Sequence, residues 1–217
     1  MKTIAIIPAY NEEKNIERVI EGTKKYVNYT IVVNDGSIDK TVEKARKADL
    51  VLTHLVNMGK GLALKTGIEA AIQKKTDVII TIDADMQHDP DDIPRLLKEI
   101  KRGSDIVIGS RTIDKEMPFV LKFGNWFLHN SFKKLFKVNI KDTQSGFRAF
   151  KSSIYPQLKW ASEGYAVETE MLINLNKYNL EYKEIPIKAV YTDKYKGTTP
   201  VDGIKIFLSM LLWKLKN

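Results

Sequence analysis

The sequence has no cysteine among its 217 residues. That absence excludes a disulfide scaffold, a thiolate metal centre and a cysteine nucleophile, and it fits a reducing compartment. Long apolar runs are lacking too. A membrane span needs roughly 18–20 apolar residues, and the longest apolar run near the C-terminus, Ile206–Trp213, is broken by Ser209. The apolar start Met1–Pro8 is short and is followed at once by Asn11-Glu12-Glu13-Lys14, which is not the layout of a signal peptide. The phosphate-loop spacing Gly-x4-Gly-Lys-Ser/Thr and the dinucleotide fingerprint Gly-x-Gly-x-x-Gly are both missing. No internal repeat, low-complexity tract or linker divides the chain.

What is present is ordinary globular material, with 43% hydrophobic and 29% charged residues, enough for a packed core. The formal charge of +8 suits an anionic partner such as nucleotide phosphates, nucleic acid or an anionic membrane surface. Nucleic acid is disfavoured, because no helix concentrates Arg with base-reading residues and no aromatic RNA-binding signature appears.

The first half alternates strand and helix patterns. Short apolar runs at Thr3–Ile7, Thr30–Val33, Leu50–Thr53, Val78–Ile82 and Ile106–Ile108 read as strands buried on both faces. Between them, Ile16, Val19, Ile20 and Thr23 recur at helical spacing, as do Leu64, Ile68 and Ile72, and Ile93, Leu96, Leu97 and Ile100. This alternation predicts a doubly wound α/β sheet, whose ligands bind beyond the carboxyl ends of the strands. The second half predicts an aromatic-rich helix over Pro118–Lys137, a helix over Val167–Lys177, a strand over Tyr182–Val190 and a closing helix over Val201–Lys216.

Chemistry concentrates at the strand ends. In Asp83-Ala84-Asp85-Met86-Gln87-His88-Asp89-Pro90, extended backbone would point Asp83 and Asp85 the same way, with Gln87 continuing the alternation. Two carboxylates that close repel unless a cation neutralises them, and hard oxygen ligands suit Mg²⁺ or Mn²⁺ held together with substrate phosphates. The competing reading is helix capping, for which Asp91 and Asp92 suffice. Asp35, in Asn34-Asp35-Gly36-Ser37, is placed to accept hydrogen bonds from a nucleobase or ribose; Gly36, Ser37 and Asp39 are explained by a turn with Asp39 as cap. Tyr10 and Glu12 are a stacking ring and an acceptor for a base, or simply a helix start. Lys60, in Asn57-Met58-Gly59-Lys60-Gly61, stands where a lysine and backbone N–H groups meet phosphate. Arg111 and Arg148 are either surface arginines or phosphate ligands.

Together these motifs, with Ile7-Pro8-Ala9-Tyr10-Asn11-Glu12-Glu13, Gly109-Ser110-Arg111 and Asp142-Thr143-Gln144-Ser145-Gly146-Phe147-Arg148, stand in an order that resembles the family 2 glycosyltransferases. The resemblance is nearest to the dolichol-phosphate mannose synthase and polyprenyl-phosphate glycosyltransferase branch. It runs from about Thr3 to Tyr191. It implies a GT-A fold with a Rossmann-like nucleotide-binding half, an inverting mechanism, and Mg²⁺ or Mn²⁺ as cofactor. It places Pro8, Tyr10, Glu12, Asp35, Lys60 and Asp83 on the nucleotide, and Asp83, Asp85 and Gln87 around the metal. Asp85, Arg111 and Arg148 would act at the reacting centre, with Arg111 and Lys122 on an acceptor phosphate. The aromatic helix falls where this branch has a membrane-facing amphipathic helix. Many members continue into membrane-spanning helices where this sequence stops, at Asn217.

The expected architecture is a catalytic domain over 1–191, followed by a loop and an amphipathic, interfacial helix over 192–217. The expected activity moves a hexose from a GDP-mannose or UDP-glucose type donor to a polyprenyl (dolichyl) phosphate. The protein would sit peripherally on the cytoplasmic face of the membrane, with a membrane protein or a second copy as possible partner. The alternatives are a hydroxyl acceptor, for which Glu168 or Glu170 would serve as base, and a sugar-1-phosphate nucleotidyltransferase. The last needs a Gly- and Arg-bearing loop where Pro8-Ala9-Tyr10 stands.

Overall fold

The computed structural model describes residues 1–111, 119–188 and 200–216. Strands β1 (Thr3–Ala9), β2 (Tyr29–Asp35), β3 (Leu50–His54), β4 (Val78–Thr81), β5 (Ile106–Arg111), β6 (Arg148–Lys151) and β7 (Tyr182–Ile187) form a seven-stranded sheet in the order β3-β2-β1-β4-β6-β5-β7. All neighbours are parallel except β6, which runs antiparallel to β4 and β5. The doubly wound, mostly parallel sheet expected from the sequence is therefore present. β6 was not foreseen: at four residues, directly after a polar motif, it offers too short a pattern to recognise.

The helices in chain order are α1 (Ile16–Lys24), α2 (Thr41–Ala45), α3 (Lys60–Gln73), α4 (Ile93–Lys101), α5 (Phe119–Phe136), α6 (Tyr155–Leu158), α7 (Val167–Lys177) and α8 (Pro200–Lys216). They cover both faces of the sheet, and β1 shows why its residues are uniformly apolar. Ile4 and Ile6 face a core with Leu64 and Ile68 of α3, while Ala5 and Ile7 face a second core with Ile16 and Ile20 of α1 and Leu96 of α4. Alternating side chains thus enter two different cores, and neither face tolerates a polar residue.

One local expectation needs correction. The capping acid before α4 is Asp89, whose carboxylate accepts from Asp91 N at 2.9 Å ahead of the 3₁₀ turn Pro90–Asp92. Asp91 instead accepts from the Tyr26 hydroxyl, and Asp92 pairs with Arg95. The C-terminal helix, expected to be amphipathic, has two distinct faces in the structure. Ile206 and Met210 are buried, and the Phe207 ring lies 5.0 Å from Phe127 of α5. Ile204, Leu208, Leu212 and Leu215 stay exposed. Of the loop predicted over Thr192–Pro200, residues 192–199 lie outside the described residues and Pro200 begins α8, and no helix among those described is long and apolar enough to cross a membrane.

α3 lies unusually close to the sheet. A Cβ added at Gly67 would stand 2.4 Å from Cγ2 of Ile6 and 3.0 Å from Cγ2 of Val33. Gly67→Ala is expected to lower unfolding stability by about 1–3 kcal/mol through overpacking. Urea denaturation checks this, and an unchanged midpoint would contradict the close contact.

Candidate active site

The parallel strands deliver their C-terminal residues to one edge, where the following turns enclose a cavity of about 530 Å³. It is lined by Pro8, Tyr10 and Glu12 from the turn after β1, Asp35 from β2 and Lys60 from the start of α3. Asp83, Asp85, Gln87 and His88 after β4, Arg111 from β5, and Gln144, Tyr165 and Glu168 complete the wall. Of the residues predicted to be functional, all line this cavity except Arg148, Lys122 and the alternative base Glu170.

Lys60 occupies the floor. Its Nζ lies 2.7 Å from Asp83 Oδ1 and 2.7 Å from Glu168 Oε1, joining the end of β4 to the start of α7. Burial alone would depress the ammonium, but these two carboxylates outweigh it and hold Lys60 protonated well above its ordinary range. Gly146 makes the arrangement possible, because a Cβ there would stand 2.6 Å from Asp83 Oδ2 and 2.7 Å from Lys60 Nζ. Gly61 donates its N–H to the Glu163 carbonyl at 2.6 Å, and a Cβ at Gly61 would meet the Ser162 carbonyl at 2.1 Å. The start of α3 is thus pressed against the 162–164 segment.

The acids after β4 reach the cavity by a route other than the alternation expected. β4 ends at Thr81, residues 84–85 turn, and Met86 adopts φ 64°, so the chain is not extended there. Gln87 N then donates back to Asp85 Oδ1 at 3.0 Å. Burial and the neighbouring charge of Asp83 push Asp85 up to about 6. Asp83 is shifted the other way: burial opposes its charge, but Lys60 prevails and lowers it. His88, to which the sequence assigned no role, is 3% exposed and stacks on Phe147 at 5.5 Å between ring centres. Burial pushes its imidazole down to about 4, so it is neutral at pH 7. Neither ring nitrogen has a hydrogen-bond partner, and Nδ1 lies 3.8 Å from Asp83 Oδ2.

No group of three or more His, Cys, Asp and Glu side chains is preassembled for a metal among the described residues. The donor set nevertheless suits a hard divalent ion that brings its own oxygen ligands. Mg²⁺ is commonly held by one or two carboxylates plus substrate phosphates, and the raised Asp85 marks an acid whose charge lacks compensation.

The two arginines differ. Arg111 lines the cavity and grips Asp142 with a fork, Nε to Oδ2 at 2.6 Å and Nη2 to Oδ1 at 2.9 Å. Arg148 is 1% exposed, and its expected role at the phosphates is not what its position allows. It donates to the carbonyls of Ser145 and Glu168 at 2.9 Å each and of Thr143 at 3.5 Å. Arg148 opens β6, the strand that runs antiparallel between β4 and β5, and its donors are consumed by the loops it ties together. Lys122 sits on α5, away from the cavity lining. The two candidate bases are also engaged: Glu168 with Lys60, and Glu170 with the amides of Ala161 and Ser162 at 2.9 Å each.

Residues 4–158 match the model of the glycosyl transferase family 2, and the chain belongs to that family. It is 34% identical over 97% of its length to a UDP-N-acetylglucosamine–dolichyl-phosphate N-acetylglucosaminyltransferase of Methanococcus voltae, covering 95% of that protein. It is 33% identical over 99% of its length to a dolichol-phosphate mannosyltransferase of Pyrococcus furiosus, covering 65% of that longer protein. In fold it is similar to the glucosyl-3-phosphoglycerate synthase of Mycobacterium tuberculosis crystallised with Mn²⁺, UDP and phosphoglyceric acid. That match has a TM-score of 0.79 at 20% identity and covers 98% of this chain and 78% of that one. The fold is GT-A, and the protein is a glycosyltransferase.

Two outcomes follow from the site's electrostatics. The folded protein binds the Asp85 proton more tightly than the unfolded chain does, so the ionised form costs stability above about pH 6 and the cost disappears as pH falls toward the ordinary carboxylate range. Asp85→Asn should therefore raise the melting temperature at pH 7.5, with the gain shrinking as the pH is lowered through about 6. A gain independent of pH would contradict the assignment. Arg148→Met should lower stability by roughly 3 kcal/mol or more, since three buried carbonyls lose their donor. Thermal unfolding that matches the wild type would restore Arg148 as a candidate ligand.

Proposed function

We propose that the protein transfers a hexose from a nucleotide-sugar to a polyprenyl phosphate, with inversion at the anomeric carbon and with Mg²⁺ or Mn²⁺ bound. The observation that carries this reading is the clustering of Asp83, Asp85, Gln87, Lys60 and Arg111 around one cavity at the carboxyl ends of the strands. Both named relatives act, by their names, on dolichyl or dolichol phosphate, which supports the acceptor class.

In this reading Pro8, Tyr10, Glu12 and Asp35 hold the nucleoside at one end of the cavity. Asp83, Asp85 and Gln87 would hold the cation, which when bound offsets the charge that develops on the departing diphosphate. Lys60 adds a fixed positive charge beside Asp83. An acceptor phosphate oxygen attacks the anomeric carbon on the face opposite the leaving group. The new C–O bond forms as the bond to the diphosphate breaks, and the electron pair leaves with the nucleoside diphosphate. A phosphate acceptor is already anionic at pH 7, so no proton has to be removed. That suits a site whose two nearest candidate bases, Glu168 and Glu170, are committed to Lys60 and to the 161–162 amides. A hydroxyl acceptor would need one of them released.

Arg111, at the end of β5, would meet the acceptor phosphate, with Lys122 of α5 contributing at the membrane side. The paired helices support a peripheral membrane position. Phe123 and Trp126 of α5 and Ile204, Leu208, Leu212 and Leu215 of α8 are exposed, beside the exposed basic residues Lys205 and Lys214.

The test is transfer from GDP- and UDP-sugars to a short-chain polyprenyl phosphate with Mn²⁺, beside a neutral glycan acceptor. Arg111→Ala should lower transfer to the lipid phosphate by roughly a hundredfold or more while nucleoside diphosphate affinity stays within a few-fold. Transfer to the glycan alone would overturn the lipid-phosphate reading, and loss of donor binding in Arg111→Ala would move this arginine to the donor side.

A further inference from the structure

Asp35 and His54 are register partners at the ends of β2 and β3. Their hydrogen bonds can be counted completely. Oδ1 of Asp35 accepts from Nδ1 of His54 at 2.7 Å and from Met58 N at 2.9 Å. Oδ2 accepts from Gly59 N at 2.8 Å. A carboxylate oxygen presents two in-plane lone pairs, so Oδ1 is filled and Oδ2 keeps one. Because a carboxylate has no proton to give, Nδ1 is the protonated nitrogen of His54, and Nε2 faces the Thr66 hydroxyl at 3.0 Å. Thr66 therefore holds the ring in place from the α3 side. The Asp35 side chain is 5% exposed, and that remainder opens on the cavity beside Pro8 and Tyr10.

We infer that this carboxylate accepts a single N–H from the donor's base and so selects uracil over guanine, with His54 as the residue that sets the choice. This rests on the nucleotide-sugar reading of the cavity. Uracil offers one ring N–H between two carbonyls, which matches the one acceptor position left. Guanine offers two parallel N–H groups, from its ring and its exocyclic amine, and a carboxylate satisfies them with one lone pair on each oxygen. Here Oδ1 is occupied by His54 and Met58, so Asp35 cannot meet both guanine donors. A polar group that loses its partner on burial is rejected more strongly than a change of apolar surface. His54 is a positioning residue: it touches Asp35 and not the base.

The experiment is calorimetric titration of the whole protein, with Mn²⁺, using UDP, N3-methyl-UDP, GDP and IDP. Wild type should bind UDP roughly tenfold or more tightly than GDP or N3-methyl-UDP, as expected for one unmet hydrogen bond. IDP lacks the exocyclic amine of GDP and should bind more tightly than GDP. His54→Leu, which frees a lone pair on Oδ1, should bring the UDP-to-GDP preference down several-fold. His54→Asn, whose amide can donate in place of Nδ1, should restore it. GDP binding as tightly as UDP, or N3-methylation without effect, overturns the inference. An unchanged base preference in a folded His54→Leu variant removes His54 from it. If His54→Leu fails to fold, the wild-type comparison of the four nucleotides still decides. Selective UDP binding without transfer from any nucleotide-sugar would refute the proposed activity and leave this inference standing, whereas transfer from a GDP-sugar with GDP the tighter ligand would do the reverse.

Discussion

The structure around the cavity depends on the ammonium of Lys60. It lies between carboxylates from the end of β4 and the start of α7, segments far apart in sequence. A buried ion pair contributes little net stability, but removing one partner leaves a buried charge uncompensated. Lys60 therefore acts less as a source of stability than as a constraint on where three segments can be. It requires glycine at position 146, where any side chain would collide with the pair, and it draws the start of α3 against the 162–164 backbone, which requires glycine at position 61. Even so, the cation does not balance the floor. Asp85 remains near a carboxylate that is itself ionised, and burial adds to the cost of its charge. The site is built with a shortage of positive charge, and that shortage is what a cation bound together with a diphosphate would meet.

The β5 side of the cavity is organised by a different pair. Arg111 grips Asp142 with two parallel hydrogen bonds, so its guanidinium is oriented before any ligand arrives. Arg148, the first residue of β6, spends its donors on carbonyls and fixes the loop that carries Gly146. One arginine is thus turned to the cavity and the other to the scaffold. From the same side of the sheet, α5 and α8 extend an apolar surface whose inner face, with Phe132, Ile206 and Met210, belongs to the core. The outer face carries exposed aromatic and aliphatic residues of a kind that a soluble surface seldom gathers on paired helices.

Much of this was legible in the sequence because parallel strands buried on both faces leave an unmistakable pattern. Ile4 to Ile7 alternate between two cores, and both demand apolar residues. Strand ends followed by acids then locate the cavity, since the fold sends those ends to one edge. What was not legible depended on contacts remote in sequence. The alternation argument led to Asp83, Asp85 and Gln87, yet the chain turns at 84–85 and reverses at Met86, so they converge through a turn. Arg148 reads like any phosphate-binding arginine until the carbonyls of Thr143, Ser145 and Glu168 are seen to surround it. His88 lies within a recognised motif, but only burial against Phe147 shows that it is neutral. His54 carries no motif of its own, and its meaning comes from the register that sets it opposite Asp35.

The central claim is that this cavity is completed by a divalent cation and a diphosphate together. Its most direct test is the binding of a nucleoside diphosphate, by calorimetry, with Mn²⁺ and with chelator, to wild type and to Asp85→Asn. The account predicts that wild-type affinity falls by at least tenfold in chelator and that Asp85→Asn is weak in both conditions, because the acid and the cation act as one unit. Equal affinity with and without the cation, in both proteins, would contradict it.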